Sequence, residues 1–459
     1  MFETNFRLQR PRIQASWASP LAAAVLTLAV LTTSFATAAQ AMKIQELTTP
    51  GGIKAWLVEE HSVPLMALRF SFKGGSAQDP AGKEGVAHYL TGMMDEGAGD
   101  LDSQAFQGRM EELAMHMSFE DGKDQLYGSF ETLTENRAET VKLFKLALNK
   151  PRFDADAHER VRAQLLSGLA AAARNPDAVA GERFMANIFP GHPYGRPSNG
   201  TLGSMKAIDP ADLEIYRKNV FAKDGLRIVI VGDLNATEAT SVIDDLFGGM
   251  AAKGNIVAVA PTTPKPAEKL QVIEMPVPQS VARFGLGAMA RKDKDFIPAY
   301  ILNHIIGGGG FSSRLMEQVR EKRGLAYSVY SYLQPFDAAA LYLGGVATKN
   351  EQMGQSLDII RSELKRMADD GPTQKELDDA KSNLTGSFAL AFDTNAKIAN
   401  QLLSFFVQDF GIDYVDKRNG LFEAVTLDDV KRVAKRLLLT DDLFVTVVGK
   451  PKGVGAVKG

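Results

Sequence analysis

The chain has no cysteine. That excludes any disulfide and any lipid-modified N-terminal cysteine. A chain of 459 residues with 45% hydrophobic composition can bury a core large enough to do without cross-links. Strong charge of one sign is also missing: the formal net charge is −3. The basic residues form only short clusters such as Lys431-Arg432 and Lys435-Arg436, which read as a solvated helix face. Nothing in this points to nucleic acid. The apolar run Leu21–Leu31 is shorter than the ~20 residues a membrane-spanning helix needs.

That run belongs to an N-terminal segment with the form of an export signal. Arg7, Arg10 and Arg12 give a positive start. The apolar stretch follows, and Ala39-Gln40-Ala41 supplies a small-x-small cleavage pattern, with Ala36-Thr37-Ala38 as the alternative. The expectation is a signal over 1–41, a mature chain beginning near Met42, a periplasmic location and no stable membrane insertion. No charge occurs between Arg12 and Lys43, so the segment also fits an uncleaved anchor.

The rest of the chain repeats itself. Leu226-Arg227-Ile228-Val229-Ile230-Val231-Gly232 has the same form as Leu443-Phe444-Val445-Thr446-Val447-Val448-Gly449. An amphipathic helix precedes each at the same distance, over 211–221 and 428–438. Leu166-Ser167-Gly168 and Leu384-Thr385-Gly386 recur at nearly the same spacing. Ordered landmarks at one offset imply two homologous halves. The stretch 251–268, with Pro261, Pro264 and Pro266, has the composition of a linker. The expected domains are therefore 42–250 and 269–459. Within the first, 56–59 and 65–72 read as strands, and 84–94, 103–115, 135–149 and 155–173 as helices. Strands segregated from helices predict an α+β fold. Each domain should be a mainly antiparallel sheet with helices packed on one face.

A chemical absence matters most. Gly85-Val86-Ala87-His88-Tyr89-Leu90-Thr91-Gly92 has the register of an H-x-x-E-H helix, in which two histidines four apart bind zinc and the glutamate activates water. Here Thr91 stands at the base position and Gly92 at the second ligand position. A threonine cannot accept water's proton near neutral pH, and glycine carries no ligand atom. One imidazole does not hold a catalytic zinc. His192, between Gly191 and Pro193, reads as a loop residue, and Asp95, Glu96 and Asp100 as a solvated turn. The glycine run Gly307–Gly310 lacks the Lys-Ser/Thr of a phosphate loop and reads as a place of close backbone approach.

Several motifs together make the chain similar to the pitrilysin and mitochondrial-processing-peptidase family of inverted, insulinase-type zinc peptidases. They are the Gly-x-Ala-His helix, Phe189-Pro190-Gly191-His192-Pro193-Tyr194-Gly195, Ile230-Val231-Gly232-Asp233, and Gly308-Gly309-Gly310-Phe311-Ser312-Ser313-Arg314-Leu315 continued by Val319-Arg320-Glu321-Lys322-Arg323-Gly324-Leu325-Ala326-Tyr327. The resemblance implies that Gly168, eight residues before Pro176, occupies the third zinc-ligand position, where the family has a glutamate. The base and two of three ligands are then replaced, and no zinc is expected in this chain. It also implies that Arg320 and Tyr327, seven residues apart, match a pair that faces the zinc in active members. Arg320 is expected near the end of a helix over 312–321 and Tyr327 on a strand over 325–331, both aimed at one place. A phenol and a guanidinium are donors suited to a peptide carbonyl and the oxyanion it becomes. The function implied is a non-catalytic subunit of a heterodimeric zinc peptidase. A homologous H-x-x-E-H-bearing partner would hold the zinc, and peptides or unfolded segments would be the substrate. The alternative is an inactive scaffold or peptide-binding protein of the same fold.

Overall fold

A computed structural model describes residues 42–455. The stretch read as an export signal, 1–41, lies outside them. Eleven strands form two sheets. The first contains β1 (Gln45–Thr48), β2 (Lys54–Glu59), β3 (Leu65–Lys73), β4 (His116–Asp121), β5 (Gln125–Leu133) and β6 (Arg227–Gly232), in the order β1-β2-β6-β3-β5-β4. The second contains β7 (Leu270–Glu274), β8 (Gln279–Gly287), β9 (Ala326–Pro335), β10 (Ala340–Lys349) and β11 (Phe444–Gly449), in the order β7-β11-β8-β10-β9. One pair in each sheet is parallel, β2 with β6 and β7 with β11; the other neighbours are antiparallel. The two apolar strands that revealed the repeat, β6 and β11, thus take the same place and the same neighbours in their sheets. Between the helix Ala236–Phe247 and β7 no regular element forms. That stretch is strapped down by backbone bonds such as Lys265 N–H to the Ile188 carbonyl, 2.9 Å.

Each sheet packs its own helices on one face. Phe70, Phe72, Leu126, Phe130 and Ile230 bury against Phe144, Tyr216 and Phe247 in the first half. In the second, Phe284, Tyr342 and Val447 bury against Leu302, Ile360 and Val433. The opposite face is where the structure adds to the one-face arrangement expected from sequence. Strands β6 and β11 are buried along almost their whole length, so both their sides need cover. The halves exchange helices to supply it. Asn175 caps the helix Pro176–Ile188, accepting from the Asp177 amide at 2.9 Å, with Pro176 preset at the first helical position. This helix of the first half lies on the second sheet: Phe184 packs on Phe444 with rings 5.4 Å apart, and Asp177 pairs with Arg283 at 2.8 Å. In return the helix Asn395–Val407 of the second half lies on the first sheet. Phe406 stacks on Trp56 at 4.4 Å, and Asn400 accepts from Arg69 at 2.8 Å. Beside this crossing lies a polar cavity of about 1180 Å³, walled by Arg69, Tyr127 and Lys123 from one half and Arg291, Gln334 and Asp337 from the other.

Candidate functional site

His88 sits in a single turn and a half of helix, Val86–Thr91. Asp79 nucleates it: its carboxylate accepts from the amides of Gly85 at 2.7 Å and Ala87 at 3.1 Å. Asp79 is almost fully buried, and burial pushes its pKa up to about 7, against the pull of those two amides. The His88 imidazole is not free. Nδ1 lies 2.9 Å from Oδ1 of Asp121 at the end of β4, and that hydrogen bond, outweighing burial, raises the imidazole pKa. The Asp121 side chain is 7% exposed, and its second oxygen has no hydrogen-bond partner. Thr91 turns its hydroxyl back onto the His88 carbonyl at 2.7 Å.

Gly92 follows on the surface, and a Cβ there would stand 3.4 Å from Val161. Gly168 is exposed in the helix Ala155–Ala172, and a Cβ there would meet nothing within 4 Å. The helix thus sets Val161 against Gly92, while Gly168 lies two turns further on, roughly 10 Å of rise. Among the described residues no group of three His, Cys, Asp or Glu side chains could hold a metal ion. The donor set does not fit zinc: one imidazole already committed to a carboxylate, one hydroxyl committed to the backbone, and two glycines.

The other candidate residues lie in the second half. The helix Phe296–Asn303 runs into a π-helical turn, His304–Gly308. The expected close approach is found there: a Cβ on Gly307 would fall 2.4 Å from Ser331 Oγ of β9. A short 3₁₀ turn, Gly310–Ser312, leads to a second π-helical stretch, Met316–Glu321, which carries Arg320. A regular helix over 312–321 was expected; the wider turn replaces most of it, a local geometry that recurs at functional sites. Gly324, at φ 61°, closes the turn, its amide donating to the Arg320 carbonyl at 2.8 Å.

Strand β9 then begins with a register shift. Ser328 faces Ala347 and Ala326 faces Thr348, leaving Tyr327 as the extra residue of a bulge. Bulging turns its ring outward, and Tyr327 is 83% exposed. The Arg320 guanidinium lies 4.8 Å from the Tyr327 ring and 4.7 Å from that of Phe311. Among the described residues no carboxylate comes within ion-pair distance of Arg320. Arg320 and Tyr327 are therefore neighbours on the surface. Its stacking holds the guanidinium in place while its N–H groups make no hydrogen bond to any described residue. Neither of them lines the inner cavity, nor do His88, Gly92 and Gly168.

Sequence reasoning missed three participants. Asp121 and Asp79 act through contacts between distant segments. Phe311 is visible in the Gly-Gly-Phe-Ser-Ser run, but only the fold brings it under the guanidinium.

Comparison with known proteins places this arrangement. A family model described as insulinase (peptidase family M16) matches residues 55–202, and one described as peptidase M16 inactive domain matches residues 207–384. A non-peptidase homolog, YmxG, of Helicobacter pylori is 26% identical over 395 residues, 86% of this chain and 91% of its own. An uncharacterized zinc protease of Bacillus subtilis, also YmxG, is 23% identical over 421 residues, 89% of this chain and 99% of its own. Among crystal structures, a peptidase M16 inactive domain from Pseudomonas fluorescens superposes with a TM-score of 0.83 at 30% identity, covering 90% of this chain and 98% of that one. A protease from Helicobacter pylori shares the fold, with a TM-score of 0.79 at 18% identity over 89% of this chain and 99% of its own.

Proposed function

This chain belongs to peptidase family M16, the insulinase family, and we propose that within it the chain is the non-catalytic subunit of a heterodimeric zinc peptidase. The observation that carries this reading is an asymmetry between the two candidate sites. On one side every group that could hold or use zinc is replaced or already engaged: His88 by Asp121, Thr91 by its own backbone, Gly92 and Gly168 by the lack of any side chain. On the other side Arg320, half-buried, is stacked on the exposed ring of Tyr327. The guanidinium makes no ion pair or hydrogen bond with any described residue, so its N–H groups are free to donate to a substrate.

In the assembled pair, a homologous subunit with an intact H-x-x-E-H helix supplies the zinc. Arg320 and Tyr327 reach across to its substrate. Their N–H and O–H groups donate to the scissile carbonyl, most strongly as negative charge develops on its oxygen. The substrate is a peptide or unfolded segment. The basic, apolar, small-x-small character of 1–41 supports export, so the pair works in the periplasm.

A second reading is a scaffold or peptide-binding protein with no part in turnover. It draws support from the description of the Helicobacter pylori relative as a non-peptidase homolog. The two readings separate on reconstitution. This chain should bind no stoichiometric zinc and cleave no peptide by itself. Mixed with its H-x-x-E-H homologue, it should form a complex holding about one zinc per pair, with activity well above that of either chain. Full activity in the homologue alone, unchanged on adding this chain, would refute the proposal and leave the scaffold.

A further inference from the structure

Two arginines of the second half lie among aromatic rings with no acid to balance them. Arg291 follows β8 and is half-buried; its guanidinium lies 4.4 Å from the Phe296 ring and 5.4 Å from that of Phe410. Its Nε is buried without a hydrogen-bond partner. Arg418, only 9% exposed, belongs to the helix Tyr414–Glu423 and lies 4.2 Å from both the Phe388 and the Phe422 rings. It donates to the Leu384 carbonyl at 3.2 Å and to the side chain of its neighbour Asn419 at 3.0 Å. Among the described residues neither guanidinium forms an ion pair. The carboxylates that precede Phe410 and Tyr414 in the chain are taken: Asp409 by Lys292 at 2.9 Å and Arg227 at 3.4 Å, Asp413 by Lys417. By contrast, the half-buried Arg314 and Arg283 pair with Glu376 at 2.6 Å and Asp177 at 2.8 Å.

The rings tie the two arginines into one cluster. Phe410 stacks on Tyr414 at 4.1 Å, and Phe422 meets Tyr300 edge-on at 5.8 Å. Both guanidiniums stand within electrostatic reach of the Tyr300 and Tyr414 hydroxyls and of each other. Burial holds both arginines below their usual pKa, and no carboxylate opposes it. Keeping a guanidinium out of water is costly unless an opposite charge answers it, and aromatic faces recover only part of that cost. The cluster opens on the polar cavity, whose wall here carries Arg227, Arg291 and Lys292 around the single carboxylate of Asp409.

We propose that Arg291 and Arg418 hold a small dianionic oxyanion: the phosphate group of free phosphate or of a phosphomonoester, entering from the cavity. The hydroxyls of Tyr300 and Tyr414 serve as further donors. Two cations without a carboxylate match a dianion better than they match one carboxylate. The burial of Arg418 and Tyr414 favours a small group over a folded partner. This site is separate from His88, Thr91, Gly92 and Gly168 and from the Arg320–Tyr327 pair, and it stands whether or not the chain serves a zinc-bearing partner.

The test is thermal unfolding of the chain from Met42 onward at pH 8, where phosphate is a dianion, with ionic strength held constant by sodium chloride. Inorganic phosphate and glycerol 2-phosphate, each at about 10 mM, should raise the unfolding temperature saturably, because a ligand of the folded chain stabilises it. A response to one of them alone also bears out the site and identifies its source. Acetate should give no shift. Tyr300→Phe removes one hydroxyl from a residue 37% exposed and should raise the half-saturating concentration about fivefold. Arg291→Gln should raise it about tenfold or more. If Arg291→Gln does not fold, the tyrosine variant decides. No shift from either phosphate, an equal shift from acetate, or a shift that persists unchanged in the variants would overturn the proposal.

Discussion

At position 168 a glycine interrupts an exposed helix for no reason that the packing supplies. A Cβ there would meet nothing within 4 Å, and the residue takes no part in a turn. Glycine inside a helix costs about 0.5–1 kcal/mol relative to alanine. Gly168→Ala should therefore raise the stability of the chain by about that amount in urea or thermal unfolding. A loss instead would mean that this helix face approaches something that the isolated chain lacks. Part of this was legible from residues alone. The lack of ligand atoms at Thr91 and Gly92 follows from the register of one helix; the part given to Gly168 rests on the resemblance, and the structure sets Val161 against Gly92 instead. The new partners of His88 did not follow, because Asp121 and Asp79 reach it from other segments and no local period encodes that meeting. Arg320 and Tyr327 were paired by the resemblance, but the bulge that turns Tyr327 outward depends on how β9 registers with β10.

Among the elements, the exchanged helices bind the two halves into one body. The Trp56–Phe406 stack is the clearest tie, with both rings buried and 4.4 Å apart. Phe406→Ala should cost about 3 kcal/mol by emptying a buried ring site. One cooperative unfolding transition is expected to remain, shifted to lower denaturant. Two separated transitions would mean that the halves fold without this tie. A second element carries a pH signature. Glu376 caps the helix Gln374–Gly386 and pairs with Arg314 at 2.6 Å. Burial works to raise its pKa, but the hydrogen bonds from Arg314 and Thr373 outweigh it and lower the value to about 2. Its folded pKa lies below its unfolded one, so its contribution is present above about pH 4.5 and is lost as pH falls through about 2. Glu376→Gln should thus destabilise the chain at pH 7, by about 1 kcal/mol once solvent screening of this partly exposed pair is allowed for, with the difference closing towards pH 2. A difference that did not shrink would assign the effect to packing. Apolar periodicity was enough to find strands β2 and β3 and most helices of the first half. It could not say that the helix after Asn175 covers the other half's sheet, because amphipathicity marks a buried face and not what buries it.

For the molecule as a whole, the repeat read from sequence became two sheets with matching strand orders, each roofed by its own helices and crossed by one of the other's. Such a body keeps the peptidase architecture although the ligand positions Gly92 and Gly168 carry no donor atom. The proposed role in trans rests on what Tyr327 does in the assembled pair. The most direct measurement is the kcat of purified heterodimer carrying Tyr327→Phe, expressed per assembled pair, with zinc content and assembly checked on the same sample. Removing one donor from an oxyanion typically lowers the rate by ~10²–10³. A fall of that size, with assembly and partner zinc unchanged, is the predicted result. An unchanged kcat in fully assembled, zinc-loaded heterodimer would contradict a role for Tyr327 in turnover.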